Sequence, residues 1–147
     1  MQYLGRLYAS LAFDATVSPA HAHFLIRLFE RLTYRQIVAL AYIGNAQREN
    51  ERVLMGGDQA GSGLRSSPSL VAELAELGTL GLVGFLQNDG SVAPPADVWG
   101  PSTITMQTIG QIALSETGLG LYRLAELQTM PNADQDEVAA ALRGEQD

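Results

Sequence analysis

The chain has no cysteine and no lysine among its 147 residues. The first absence excludes disulfides, thiolate metal centres and a cysteine nucleophile. The second excludes Schiff-base chemistry and a lysine-bearing phosphate loop. All nine basic residues are therefore arginine, and there is a single tryptophan, Trp99. Long apolar runs are missing too. The longest stretch without a charge, Val98–Ser115, contains Pro101, Gln107 and Gln111, so it does not read as a membrane span. The opening MQYLGRLYAS places Arg6 where a secretion signal needs apolar residues and offers no cleavage site of small residues. The expectation is a cytoplasmic protein with no membrane partner.

Charge is scarce, 17% of residues against 46% hydrophobic, and the mean hydropathy is +0.04. So much apolar surface in a short chain predicts cover from another subunit, and a homodimer is expected. The formal charge of −7 is divided unevenly: residues 1–52 sum to +2 and residues 53–147 to −9. The acidic half is the one that repels phosphate, which disfavours a nucleic-acid partner.

The chain is organised around Ser67–Gly90, SPSLVAELAELGTLGLVGFLQNDG. Ser67-Pro68 is a helix start; Leu70, Val71, Leu74 and Leu77 give the helix an apolar face, with Ser69, Glu73 and Glu76 outward. Gly78 or Gly81 stops it, Leu82–Gln87 reads as an apolar strand, and Asn88-Asp89-Gly90 suits a hairpin turn. Upstream, residues 2–13 carry Tyr3, Leu4, Leu7, Tyr8 and Leu11 on one helical face. Ser18-Pro19 opens a second helix, Pro19–Leu32, expected to bury Phe24, Leu25, Leu28, Phe29 and Leu32. Thr33-Tyr34-Arg35-Gln36 is a capping box ahead of Ile37–Ile43, which is apolar on every face and predicts a central buried helix. Gly56–Gly63 has four glycines and reads as a loop, with anion binding as its alternative.

Downstream, residues 91–102 contain three prolines and read as a long loop bearing Trp99. Thr103–Met106 is expected to return as a strand. A helix is then expected from about Thr108, through Ile109, Ile112, Ala113 and Leu114, with interruptions at Gly118 and Gly120. Asp134 is read as the cap of a last, acidic helix that ends near Arg143 and Gly144.

This order of elements resembles the winged-helix domains of MarR- and PadR-type regulators. The likeness rests on Leu32-Thr33-Tyr34-Arg35-Gln36, on Leu80–Val83, on the Asn88–Gly90 turn, and on Met106–Gly110, where Gln107 replaces a threonine. It spans roughly residues 20–125 and implies a mainly α, winged-helix-like domain with a small β-hairpin wing and flanking N- and C-terminal helices. The expected division is 1–18 helix and turn, 19–127 core, and 128–147 acidic helix and tail. In that family the second helix of a helix-turn-helix enters the major groove. The resemblance puts Pro68–Leu80 in that place, where Glu73 and Glu76 would face phosphate and no arginine is available to read guanine.

Two classes of function follow. One is a non-enzymatic protein-interaction or homodimerisation module, with Ser69, Glu73, Glu76 and Trp99 at the interface. The other is a DNA-binding transcriptional regulator, contacting DNA through Arg27, Arg31, Arg35 and Arg65. A third possibility is a ligand held near Tyr3, Tyr8 and Tyr42, for which an apolar cavity beside those tyrosines is the requirement.

No catalytic residues, metal ligands or cofactor are expected. His21 and His23 lie two apart on a helix and point away from each other, so one half-buried and one surface histidine are expected. Ser62, His21 and Asp58 have no motif that joins them, and Glu73/Glu76 is the only close carboxylate pair on a helix face expected to be exposed.

Overall fold

The apolar run Ile37–Ile43 sits at the centre of the molecule, inside a helix that other elements cover on nearly every side. The computed structural model describes residues 2–49, 54–56, 68–86, 92–93 and 109–142. Among these the protein is mainly helical, with a small antiparallel sheet. The helices are α1 (Gln2–Phe13), α2 (Pro19–Glu30), α3 (Tyr34–Arg48), α4 (Pro68–Thr79), α5 (Glu116–Leu124) and α6 (Asn132–Leu142). The strands are β1 (Leu54–Gly56), β2 (Val83–Leu86), β3 (Val92–Ala93) and β4 (Ile109–Leu114), in the spatial order β1-β4-β2-β3.

Helix α3 begins as its sequence dictates. The Thr33 hydroxyl accepts the Gln36 amide at 3.1 Å, and the Gln36 side chain accepts the Thr33 amide at 2.9 Å. This reciprocal pair satisfies two donors that a helix start otherwise leaves unbonded. Ile37, Val38, Ala39, Leu40, Ala41 and Ile43 are all buried. Helices α4, α5 and α6 and strand β4 pack around them.

Helix α4 ends in a Schellman turn. Gly81 takes φ +81°, a left-handed value that costs a side-chain-bearing residue energy. The Leu82 amide then reaches back to the Leu77 carbonyl, and the Gly81 amide to that of Gly78, both at 3.0 Å. This turn points the chain into β2, which pairs with β4 in the register Val83↔Leu114 and Phe85↔Ile112.

Residues 109–114 correct one expectation. They form β4, not the start of a helix, and the helix begins instead at Glu116, capped by the Ser115 hydroxyl accepting the Gly118 amide at 3.1 Å. Ile112, Ala113 and Leu114 are consecutive and all buried. Such a run fits a strand covered on both faces as well as a helix, and pairing to β1 and β2 decides it. Ile109 and Gly110 of the motif placed at Met106–Gly110 thus lie within β4, and the strand-to-helix junction is at Leu114-Ser115. Gly118 does not interrupt α5: a Cβ there would collide with the Leu82 carbonyl oxygen, so glycine permits close approach of helix and chain.

Smaller corrections follow the same pattern. Gly56 ends strand β1 and does not begin a loop, and Val92-Ala93 form a short edge strand ahead of the prolines. Helix α6 starts at Asn132, which places Asp134 in its first turn, where it accepts a hydrogen bond from the Tyr34 hydroxyl at 3.0 Å. The Asn88–Gly90 turn, the glycine loop beyond Gly56, Thr103–Met106, Arg143 and Gly144 lie outside the described residues.

Candidate functional site

The Thr33–Gln36 capping box lies beside the first turns of α4, and the two helices are fastened there by side chains. Arg35 donates to Ser69 Oγ at 3.1 Å and to Glu73 Oε1 at 3.2 Å. The Thr33 hydroxyl bonds Glu73 Oε2 at 3.2 Å, and buried Gln36 donates to the Glu73 carbonyl at 3.4 Å. Glu73, expected to face outward, is thus half-buried and shares an ion pair with Arg35. The structure brings together one candidate DNA contact, Arg35, and two candidate interface residues, Ser69 and Glu73. They engage one another across α3 and α4. Glu76 and Ala72 remain exposed on the outer side of α4. Trp99 and Arg65 lie outside the described residues.

Helix α2 is arranged differently. Leu25, Leu28 and Phe29 face the core as expected, but Phe24 is 49% exposed. Its expected burial fails because the buried arc of this helix, Leu25, Leu28, Phe29 and the following Leu32, does not extend to it. His21 is exposed as well and stacks on Phe24, with ring centroids 6.0 Å apart, while His23 is exposed without a ring partner among the described residues. Phe24, Arg27 and Arg31 are spaced i, i+3, i+7 and share a face. Arg27 and Arg31 are exposed and form no ion pair among the described residues. On α1, Tyr8 is 48% and Phe13 91% exposed, and the Tyr8 hydroxyl reaches Glu30 of α2 at 3.4 Å. The exposure of Phe24 was not legible from periodicity, whereas Phe13 lies off the expected apolar face of α1, immediately before the Asp14 turn.

The tyrosines do not enclose a common apolar cavity among the described residues. Tyr3 is buried in the core, with the Arg6 guanidinium 5.4 Å from its ring centre. Tyr42 instead lines a polar cavity of about 220 Å³ with Asn45, Arg48, Glu49 and Asp136. Beside it runs a polar chain: the Tyr122 hydroxyl donates to Asn45, Asn45 donates to Gln135 Oε1 at 2.9 Å, and Gln135 donates to the Met130 carbonyl at 2.9 Å. This chain joins α3, α5 and α6. Burial pushes the Tyr122 hydroxyl pKa above its ordinary value, against the opposing field of Arg48.

A larger cleft, about 640 Å³, opens between the turn joining α1 to α2 and the outer side of α5. Asp14 lies on its rim, its carboxyl held below the ordinary value chiefly by the Thr16 hydroxyl, then by the Thr16 amide at 2.9 Å. Among the described residues no three His, Asp or Glu side chains converge as a metal site would require. No described helix is long and apolar enough to cross a membrane. Comparison with protein-family models, with curated proteins and with solved structures finds no match to this chain.

Proposed function

We propose that this chain is a non-enzymatic, winged-helix-like interaction module that pairs with a second copy of itself through the outer face of α1 and α2. The observation that carries this reading is the set of large aromatic side chains left in solvent on those two helices, Phe13, Phe24 and Tyr8. Exposed aromatics beside arginine are the composition that protein interfaces favour, and Phe24-Arg27-Arg31 supplies it on one stripe. Gly5, Ala9 and Ala12 on α1 are exposed too, so a partner helix would approach closely between the aromatic side chains. The winged-helix part of the proposal is supported by the sheet order: β4 lies between β1 and β2, with α4 entering ahead of β2.

The test is sedimentation equilibrium of the intact chain against the Phe13→Ser/Phe24→Ser variant. A dimer that becomes a monomer with unchanged far-ultraviolet dichroism supports the proposal, and a monomeric parent chain refutes it. The regulator reading retains one specific support, Arg27 and Arg31, which are exposed and form no ion pair among the described residues. It predicts binding to random duplex DNA that weakens steeply with salt. Anisotropy at low and moderate salt distinguishes the two, since a pure interaction module shows no such binding.

A further inference from the structure

We propose that the cleft between the α1–α2 turn and α5 is a binding site for a small zwitterion with an apolar body, the chemistry of a free α-amino acid bearing an aliphatic side chain. Its volume, about 640 Å³, lies within the range of small-molecule sites. Opposite charges face each other across it. Asp14 and Arg123 line its two sides, and Arg123 acts on the Asp14 carboxyl through its field without closing to an ion pair. Asp14 Oδ1 is occupied by the Thr16 amide and hydroxyl, whereas Oδ2 has no hydrogen bond among the described residues. Glu116 adds a second carboxylate to the rim. Two separated, unjoined charges of opposite sign are the complement of a ligand carrying an ammonium and a carboxylate, one for each side.

The apolar part of the cleft comes from Val17, Leu25 and Leu124. Gly120 lies in the same wall, in the interior of α5, where glycine is a poor helix former. Gly118 has a packing reason to be glycine; among the described residues Gly120 has none, because a Cβ there meets nothing within 4 Å. What a side chain at Gly120 would occupy is the cleft. A glycine that weakens the helix while keeping this space open is accounted for by an occupant. The proposal does not depend on self-association.

The experiment is amide-resonance titration of the whole chain with three probes: L-leucine, its decarboxylated amine isopentylamine, and its deaminated acid 4-methylpentanoate. Leucine is expected to shift resonances in residues 14–25 and 116–124 saturably, with a dissociation constant of about 1 mM or tighter. Each single-charge probe is expected to bind at least about tenfold more weakly. Arg123→Gln and Asp14→Asn should each weaken leucine by about tenfold, and Asn retains the acceptor that Thr16 uses. Gly120→Leu should abolish binding, and Gly120→Ala should preserve it with a raised melting temperature. The proposal is overturned by absence of saturation with leucine up to about 10 mM, or by a single-charge probe that equals leucine. Unchanged leucine affinity in Gly120→Leu overturns it equally. Should Gly120→Leu fail to fold, the exposed Arg123→Gln decides alone.

Discussion

Helices α2 and α4 are both twelve residues long and both begin at the proline of a Ser-Pro pair, yet their polar faces meet different fates. On α4 part of the polar side is engaged: Arg35 and Thr33 at the start of α3 bond Ser69, which stays exposed, and Glu73, which is half-buried. On α2 the polar side stays open, and so does Phe24, which by spacing belonged to the buried arc. The difference comes from neighbours rather than from the helices. Helix α4 lies against the start of α3, where Arg35, the Thr33 hydroxyl and the Gln36 side chain bond Glu73, while among the described residues α2 packs chiefly on α1. A glutamate opposite an apolar stripe faces water only when no other element brings a cation to it.

The largest effect is expected from setting a buried side chain of α4 against the half-exposed Phe24 of α2. Leu74→Ala on α4 removes a fully buried side chain and is expected to destabilise the protein by about 2–5 kcal/mol. Phe24→Ala on α2 should shift stability by less than about 0.5 kcal/mol in the dissociated chain, because its ring is half in solvent already. Urea unfolding of both variants checks the pair; equal losses would break the comparison.

A smaller effect is expected from the clasp. Arg35 and Glu73 are each about a quarter to a third exposed at the side chain, so screening reduces their attraction. Glu73→Gln is expected to cost about 1–2 kcal/mol, since it removes the charge from hydrogen bonds to Arg35 and Thr33. A double-mutant cycle with Arg35→Met should return a coupling near 1 kcal/mol, and a value near zero would mean that the clasp contributes nothing. On the open helix, Arg27→Ala and Arg31→Ala should each stay within about 0.5 kcal/mol.

The smallest expected change is in titration, and it reports on both sides of the molecule. The folded Asp14 carboxyl lies below 3.8 chiefly because of the Thr16 hydroxyl, so its contribution to stability is present above that value and is lost as pH falls through the folded pKa. Thr16→Val should move the Asp14 titration up toward 3.8 in a carbon-detected NMR experiment. Tyr122 has the opposite sign. Its folded pKa is raised above 10, so its contribution is complete below 10 and is lost as pH rises through the folded value. Absorbance titration of Tyr122→Phe against the parent chain should remove a late-ionising phenol; an unchanged curve would place Tyr122 in water.

Local signals were legible where one short segment satisfies its own backbone. The Thr33–Gln36 box, the Ser18 cap accepting the His21 amide at 3.2 Å, and the Gly81 stop each need only neighbouring residues. The central burial of α3 was legible too, because a segment apolar all round has no face to give to water. What escaped were features set by distant partners. Residues 109–114 have apolar residues that suit either period, and β1 and β2 supply the ladder that makes them a strand. The cleft beside Asp14 joins residues a hundred positions apart, and no spacing announces it.

By itself, then, the sequence determined that the chain is mainly helical, where most of its helices begin and end, and which helix lies at the centre. Those properties follow from caps, glycine stops and apolar periodicity, all of which act over a few residues. Only the tertiary structure decided that Arg35 and Glu73 engage each other, that Phe24 faces solvent, and that Asp14 and Arg123 stand across a gap. Burial and charge pairing are properties of what packs alongside, and the chain must close upon itself before either exists.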